Sequence, residues 1–198
     1  MGNLKVWVTG AKGQLGSAVC ERLEKEPDCT VFCTDRETDI AKLDEITGFA
    51  REHRPDVIVN CAGMTDLAEC ERNVEEAYRV NALGARNVAI AARAAGARMI
   101  HISTDDVFDG TAKKPLTEFD RTNPKTVYGK SKLAGEQFVK ELVPEHIIVR
   151  SSWIYGNTKN NYVSYILEGL LTGDTIFAPV DQISTPTSAD DLAEVIMK

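Results

Sequence analysis

The chain has 198 residues, 43% hydrophobic and 27% charged, with a formal net charge of −7. Those proportions fit a folded globular protein rather than a disordered one, and an acidic balance without a long basic run argues against sequence-independent binding of DNA or RNA. No apolar run approaches the ~20 residues of a membrane span, and the N-terminal residues lead into a strand without a secretory signal.

Leu4-Lys5-Val6-Trp7-Val8-Thr9 reads as a short, mostly buried strand, followed by a glycine-rich turn from Gly10 to Gly16. Leu15, Val19 and Leu23 then recur at helical spacing as far as Glu26, and Pro27-Asp28 ends that helix. Thr30 to Thr34 is a second strand. Leu43, Ile46 and Ala50 mark another amphipathic helix, with Asp39 in its N-cap region. Val57 to Asn60 is a third strand. Glu75 to Gly96 reads as one long alanine-rich helix stopped by Gly96. Met99 to Ser103 is a fourth strand, Asp105 to Pro124 a polar loop, Tyr128 to Leu142 a helix and Ile147 to Arg150 a further strand.

Strands and helices alternating at this spacing predict an α/β fold, a doubly wound, Rossmann-like parallel sheet with helices on both faces. Beyond Arg150 the rhythm changes. Asn161 to Leu171 reads as helical, Asp174 to Ala178 as extended, and Asp190 to Lys198 as the start of a helix. Residues after about 155 are too few to close their own core. The expected organisation is a dinucleotide-binding domain over residues 1–155 and the start of a smaller substrate-binding domain over 156–198, truncated at Lys198.

The five cysteines, Cys20, Cys29, Cys33, Cys61 and Cys70, form no C-x-x-C cluster. They are expected to be ordinary buried or half-buried thiols in a reducing, cytoplasmic setting. No cluster of metal ligands is visible.

Thr9-Gly10-Ala11-Lys12-Gly13-Gln14-Leu15-Gly16 has a G-x-x-G-x-x-G spacing between a strand and a helix. Glycine lets the backbone turn tightly and approach a pyrophosphate, while the helix N-terminus offers free N–H groups and partial positive charge. Asp35 closes the second strand about 20 residues past Gly16, the spacing of a ribose-binding acid. Asp35 favours NAD. Arg36, the next residue, suits a 2′-phosphate and favours NADP, so the choice stays open. Cys61-Ala62-Gly63, after Asn60, ends the third strand with small residues that let a cofactor pass close to the backbone.

Tyr128 and Lys132 lie four residues apart on one helix face. A phenol of pKa roughly 10 is a poor proton donor at neutral pH, and a fixed positive charge nearby lowers that value. The pair is a candidate general acid for reducing a carbonyl.

Together the glycine turn, Asn60-Cys61-Ala62-Gly63, Val80-Asn81-Ala82, Ile102-Ser103-Thr104-Asp105, Val107-Phe108-Asp109-Gly110 and Tyr128-Gly129-Lys130-Ser131-Lys132-Leu133-Ala134-Gly135-Glu136 resemble the extended short-chain dehydrogenase/reductases, and among them the dTDP-4-dehydrorhamnose reductase family. Ser151-Ser152-Trp153-Ile154-Tyr155-Gly156 and Asp181 to Thr187 extend the resemblance over essentially the whole chain. It implies reduction, with NADH or NADPH, of the 4-keto group of a nucleotide-linked 6-deoxysugar in dTDP-L-rhamnose biosynthesis. By that resemblance Tyr128 protonates the C4 oxygen. Lys132 holds the ribose and lowers the tyrosine pKa, and Thr104 hydrogen-bonds the same oxygen. Asp105 and Trp153 join Thr104 on the sugar side. The implied cofactor contacts are Gly10, Gly13, Gln14, Leu15, Gly16, Asp35, Arg36, Asp39, Ile40, Cys61, Ala62, Gly63 and Asn81, with Tyr128 and Lys132. No metal, nucleic acid or membrane is implied, and a homodimer is left open. The alternatives are a related nucleotide-sugar epimerase or dehydratase, and a non-catalytic NAD(P)-binding regulatory subunit similar to that of methionine adenosyltransferase.

The chain departs from the family pattern in four places. Asp106 stands where the family usually has tyrosine after Ser-Thr-Asp, which predicts a carboxylate that either repels a diphosphate substrate or raises the catalytic tyrosine's pKa. Gly63-Met64-Thr65 replaces Ala-Tyr-Thr, Ala68 replaces an aspartate, and family members continue past the position of Lys198.

Overall fold

The central strand β1 (Leu4–Thr9) buries Val6, Trp7 and Val8, the near-continuous apolar run that an interior parallel strand requires because both of its faces are covered. In the computed structural model, which describes residues 2–158, 161–178 and 180–198, β1 pairs with β2 (Cys29–Thr34) on one side and β3 (Val57–Asn60) on the other. β4 (Arg98–Thr104) and β5 (His146–Ser151) extend the sheet, giving a fully parallel order β2-β1-β3-β4-β5. The direction of winding reverses between β1 and β3. Doubly wound sheets of this kind bind ligands in the crevice outside the carboxyl ends of the strands at that switch point.

Alternation along β1 sends Val6 and Val8 to one face and Trp7 to the other. On the first face α1 (Gln14–Leu23) and α8 (Ala189–Ile196) pack Leu15, Val19 and Ala193 against Val59 and Ile102. On the second, α2 (Leu43–His53), α5 (Ala85–Ala95) and α6 (Val127–Leu142) enclose Trp7, Ile46, Ile58, Val88 and Met99. Fully buried side chains such as Ile46 and Ile58 each contribute about 1.5–3 kcal/mol.

Several local features differ from the sequence expectation. The stretch from Glu75 to Gly96 is three pieces: α4 (Val74–Tyr78), a π-helical turn over Arg79–Gly84, and α5, which Gly96 closes at φ 69°. The π turn lies where α6 crosses, and Gly135 of α6 sits so close to the Asn81 carbonyl that any side chain there would collide with it. An extra helix, α3 (Leu67–Arg72), is capped by Asp66, which accepts the Glu69 N–H at 2.8 Å. Asp39 does not cap α2. Its carboxylate accepts the Ala41 N–H at 3.0 Å in the turn before, and Lys42 occupies the cap position. Asp174 to Ala178 forms no strand. Instead β6 (Ile154–Tyr155) pairs with β7 (Thr187–Ser188), and α7 (Tyr162–Thr172) lies between them in sequence with no buried residue.

Cys20 on α1 and Cys33 on β2 are joined by a disulfide, with Cα atoms 6.5 Å apart. The expectation of free thiols therefore stands for Cys29, Cys61 and Cys70 and is corrected for this pair. Packing of α1 on the edge strand brings together two positions whose spacing carries no C-x-x-C signal. Among the described residues no helix is long and apolar enough to cross a membrane, and no group of three potential metal ligands is present.

Candidate functional site

The glycine turn sits at the switch point. Gly10 has φ 68°, and a Cβ there would lie 2.6 Å from the Ala62 backbone nitrogen. Glycine is needed at this position for its conformation and for the close approach of the turn to the end of β3. At Gly16 a Cβ would strike the Gly10 carbonyl, so the first turn of α1 lies directly on the loop. The result is an uncluttered backbone cradle at a helix N-terminus, with Gly13 at the N-cap. Gln14 donates to the Thr158 carbonyl at 3.3 Å, while the Leu15 side chain is buried in the core below.

Asp35 ends β2 beside this cradle. Its carboxylate accepts the Lys12 N–H at 2.7 Å and the Arg36 N–H at 2.8 Å, so it also fixes the loop's shape. Glu37, which the sequence reading missed, accepts the Asp35 N–H at 2.8 Å and pairs with Lys12 at 3.2 Å. Arg36 is exposed at the same edge. Asp39 takes the Arg79 guanidinium at 3.0 Å. Burial works to raise its carboxyl pKa, but the Ala41 and Arg79 hydrogen bonds outweigh it and the net shift is downward. Ile40 is buried against Gly84, and its carbonyl accepts from Asn87 at 3.0 Å. Its side chain belongs to the core.

Across the crevice, the segment after β3 is clamped by Asn81. The amide oxygen accepts the Met64 N–H at 2.8 Å, and the amide nitrogen donates to the Met64 carbonyl and the Ser131 hydroxyl, each at 3.0 Å. A Cβ on Gly63 would lie 3.7 Å from the Lys132 ammonium, so the end of β3 and α6 meet at that nitrogen. Burial pushes the Cys61 thiol up to about 12 against the pull of Lys132.

The first turn of α6 carries Tyr128, and Thr126 caps the helix through the Gly129 N–H at 3.0 Å. Glu71 of α3 accepts the Val127 N–H at 2.8 Å, a second contact that no local sequence signal marks. Thr104, at the end of β4, lies close enough to the Tyr128 phenol to lower its pKa. It also accepts the Asp106 N–H at 3.2 Å and donates to Asp105 at 3.3 Å. Burial drives the Tyr128 pKa well above the usual phenol range. Thr104 opposes that rise, and Asp106 and Asp105 add to it. The expected lowering by Lys132 is thus corrected: desolvation and two carboxylates dominate. The expected influence of Asp106 is present, and its own carboxyl is held above the normal range by burial and by Asp105.

Lys132 is 4% exposed and donates to the Ile102 carbonyl at 2.5 Å. Burial lowers its pKa to about 8, with Cys61 and Glu136 acting in the opposite direction. On the other side of Thr104, Asp105 accepts from the Ser152 hydroxyl at 2.7 Å, and Ser152 in turn meets Ser184. Trp153 follows at φ 42°, a left-handed conformation that a bulky residue rarely adopts. Its ring meets Tyr162 edge-on at 4.8 Å.

The structure therefore brings Thr104, Tyr128, Lys132, Gly63 and Asp105 to one end of the sheet. The glycine turn and Asp35 lie along the same edge, and Trp153 stands on the β5 side.

Residues 4–198 match the family model described as "RmlD substrate binding domain". The chain is similar to a dTDP-4-dehydrorhamnose reductase of Sinorhizobium fredii, with 37% identity over 98% of this chain and 65% of that one. A crystal structure of a dTDP-4-dehydrorhamnose reductase from Clostridium acetobutylicum superposes with a TM-score of 0.93 at 44% identity, over 98% of this chain and 69% of that chain. Another from Bacillus anthracis, in complex with NADP, gives a TM-score of 0.94 at 39% identity over 100% of this chain and 70% of that one. The chain thus spans about two thirds of the length of these proteins.

Proposed function

The chain belongs to the dTDP-4-dehydrorhamnose reductase family, and on that premise we propose that it is an NAD(P)H-dependent oxidoreductase reducing the 4-keto group of a dTDP-linked 6-deoxysugar, in dTDP-L-rhamnose biosynthesis. The observation that carries this reading is the meeting of Thr104, Tyr128 and Lys132 at the carboxyl end of the sheet, next to a glycine cradle that a side chain at Gly10 or Gly16 would fill. That cradle, at the N-terminus of α1, fits a dinucleotide pyrophosphate. Gly10, Gly13, Gln14 and the Leu15 and Gly16 backbone would hold it. Asp35 would hold the adenosine ribose, with Arg36 and Lys12 available to a 2′-phosphate. Asp39 would stand behind that end, and Cys61, Ala62 and Gly63 would line the middle. When bound, the dinucleotide supplies the hydride.

The remaining chemistry belongs to the chain. Tyr128 holds the proton destined for the C4 oxygen, and its high pKa keeps it protonated at neutral pH. Thr104 directs a hydroxyl to the same oxygen. Lys132, an ammonium at physiological pH, reaches the ribose side of the crevice and stabilises negative charge as the phenol gives up its proton. Asp105 and Trp153 face the sugar. In this reading residues 1–155 form the dinucleotide-binding domain and 156–198 begin the substrate side, except that α8 at the end of that segment packs back on α1 in the sheet's core. This reading keeps a cytoplasmic setting, against which the Cys20–Cys33 disulfide counts, and a homodimer as the expected assembly.

The test follows oxidation of NADH and NADPH in the presence of the dTDP-linked 4-keto-6-deoxysugar. Turnover that disappears in Tyr128→Phe while cofactor binding persists supports the assignment. Turnover that survives removes Tyr128 as proton donor, and cofactor binding without any turnover favours the regulatory-subunit reading or an inactive fragment.

A further inference from the structure

Glu136 is fully buried on α6, one helical turn beyond Lys132 and on the same face. A carboxylate removed from water needs charged or hydrogen-bonding partners. Here Ser103 donates to it at 2.6 Å, and Arg150 of β5 donates through Nε at 2.8 Å and Nη2 at 2.7 Å, the forked geometry in which guanidinium grips carboxylate most firmly. Lys140 stands 3.5 Å away. Ser103 immediately precedes Thr104. The Arg150 guanidinium lies 5.1 Å from the Phe108 ring centre, just past the turn that carries Asp105 and Asp106. One carboxylate thus ties α6 to β4, β5 and the turn beside the site, next to the residues that present Thr104 and Lys132.

We infer that Glu136 is a positioning residue for the proposed reduction: it locks the face of α6 that presents Tyr128 and Lys132 against Thr104, and it places a negative charge one helical turn from the Lys132 side chain proposed to hold the cofactor ribose. The second part rests on the dinucleotide reading given above. The titratable groups around Lys132 are Cys61 just after β3, His101 from β4, and Tyr128 and Glu136 from its own helix, with Tyr128 held protonated by burial. Cys61 is held as a neutral thiol and His101 as a neutral imidazole, both mainly by burial. Glu136 is therefore the one member of that set that is charged at neutral pH, and its sign favours the ammonium.

The test is a direct titration of Lys132 by NMR in protein labelled at the lysine ε-carbon, with Lys132→Met assigning the resonance. In Glu136→Gln the side chain keeps its shape and its ability to accept from Ser103 but loses its charge. The Lys132 midpoint is then expected to fall by about one pH unit. NADH and NADPH affinity near pH 8 should drop about three- to tenfold as the ammonium is lost. Circular dichroism confirms folding. Should the single variant fail to fold because Arg150 is left without its partner, Glu136→Gln combined with Arg150→Met removes both charges, and the midpoint should again fall. A folded variant whose Lys132 midpoint stays at the wild-type value overturns the role of Glu136 alone. Failure of the unsubstituted chain to bind either cofactor overturns the dinucleotide reading, and the inference with it.

Discussion

The Asp106 carboxylate bears on the Tyr128 phenol across the start of α6, and the environment favours the protonated form of both. A close backbone approach brings the two segments together. Gly129, next to Tyr128, lies so close to the Asp106 carbonyl that a side chain there would collide with it. The phenol is therefore well protonated but a reluctant donor, because its phenolate would face a carboxylate in a desolvated pocket.

Removing that carboxylate should help. Asp106→Asn and Asp106→Tyr are both expected to lower the Tyr128 pKa and to raise kcat at pH 7 by roughly three- to tenfold. Steady-state rates across pH 6–10 check this. An unchanged or lower kcat in both variants would mean that Asp106 serves the substrate rather than hindering the donor.

The disulfide between Cys20 and Cys33 closes a loop with a sequence separation of 13. In the chain-entropy account a loop of that length contributes about 3 kcal/mol by restricting the unfolded chain. Thermal unfolding with and without reductant should show a loss of that order, and Cys33→Ser should unfold at the reduced protein's temperature and become insensitive to reductant. Equal midpoints with and without reductant would show that the bond contributes nothing measurable.

Much of the fold can be read from the sequence because its signals are local. Leu4–Thr9 and Val57–Asn60 are apolar runs bounded by Gly10 at one end and Pro55-Asp56 at the other, and Gly96 announces a helix end. What cannot be read there depends on partners distant in sequence. Nothing in Arg79–Gly84 marks it as π-helical; the close approach of Gly135 is a tertiary constraint. Helix α3 is only six residues long, too short to show a period. The proposed catalytic pair is visible as a four-residue spacing, but its electrostatics are not, since burial and Asp106 rather than Lys132 move the Tyr128 pKa. Glu136 lies within the motif that flags the site, yet its partners Ser103 and Arg150 come from two other strands. Asn81 reads as a cofactor contact, and its additional role as a clamp between the Met64 segment and Ser131 of α6 is not legible in the sequence.

That clamp gives a stability prediction. Asn81→Ala strands the Met64 N–H and carbonyl in a partly buried place, which should cost about 2–3 kcal/mol in urea unfolding. Asn81→Asp keeps the acceptor for the Met64 N–H but loses both donor bonds, so it should fall between wild type and alanine. Cofactor affinity should weaken in the same order, because Gly63 and Lys132 meet beside this segment. Affinity unchanged in the alanine variant would show that the segment holds its place without the clamp.

The proposed role of Lys132 sets function against stability. Its folded pKa of about 8 lies below the ordinary 10.5, so burying the ammonium opposes folding. Below about pH 8 the lysine is charged whether folded or not, and the full cost is present. Between about pH 8 and 10.5 the folded chain gives up a proton that the unfolded chain still holds, so stability rises with pH. Lys132→Met should therefore be more stable than wild type by about 1–3 kcal/mol at pH 7 while losing cofactor affinity and turnover. The gap should close as the pH approaches 10.5, where wild type has shed the charge. Denaturant curves at pH 7 and pH 10 decide the matter. A stability gain that persists undiminished at high pH would assign it to packing of the methionine rather than to the charge that the site retains for its chemistry.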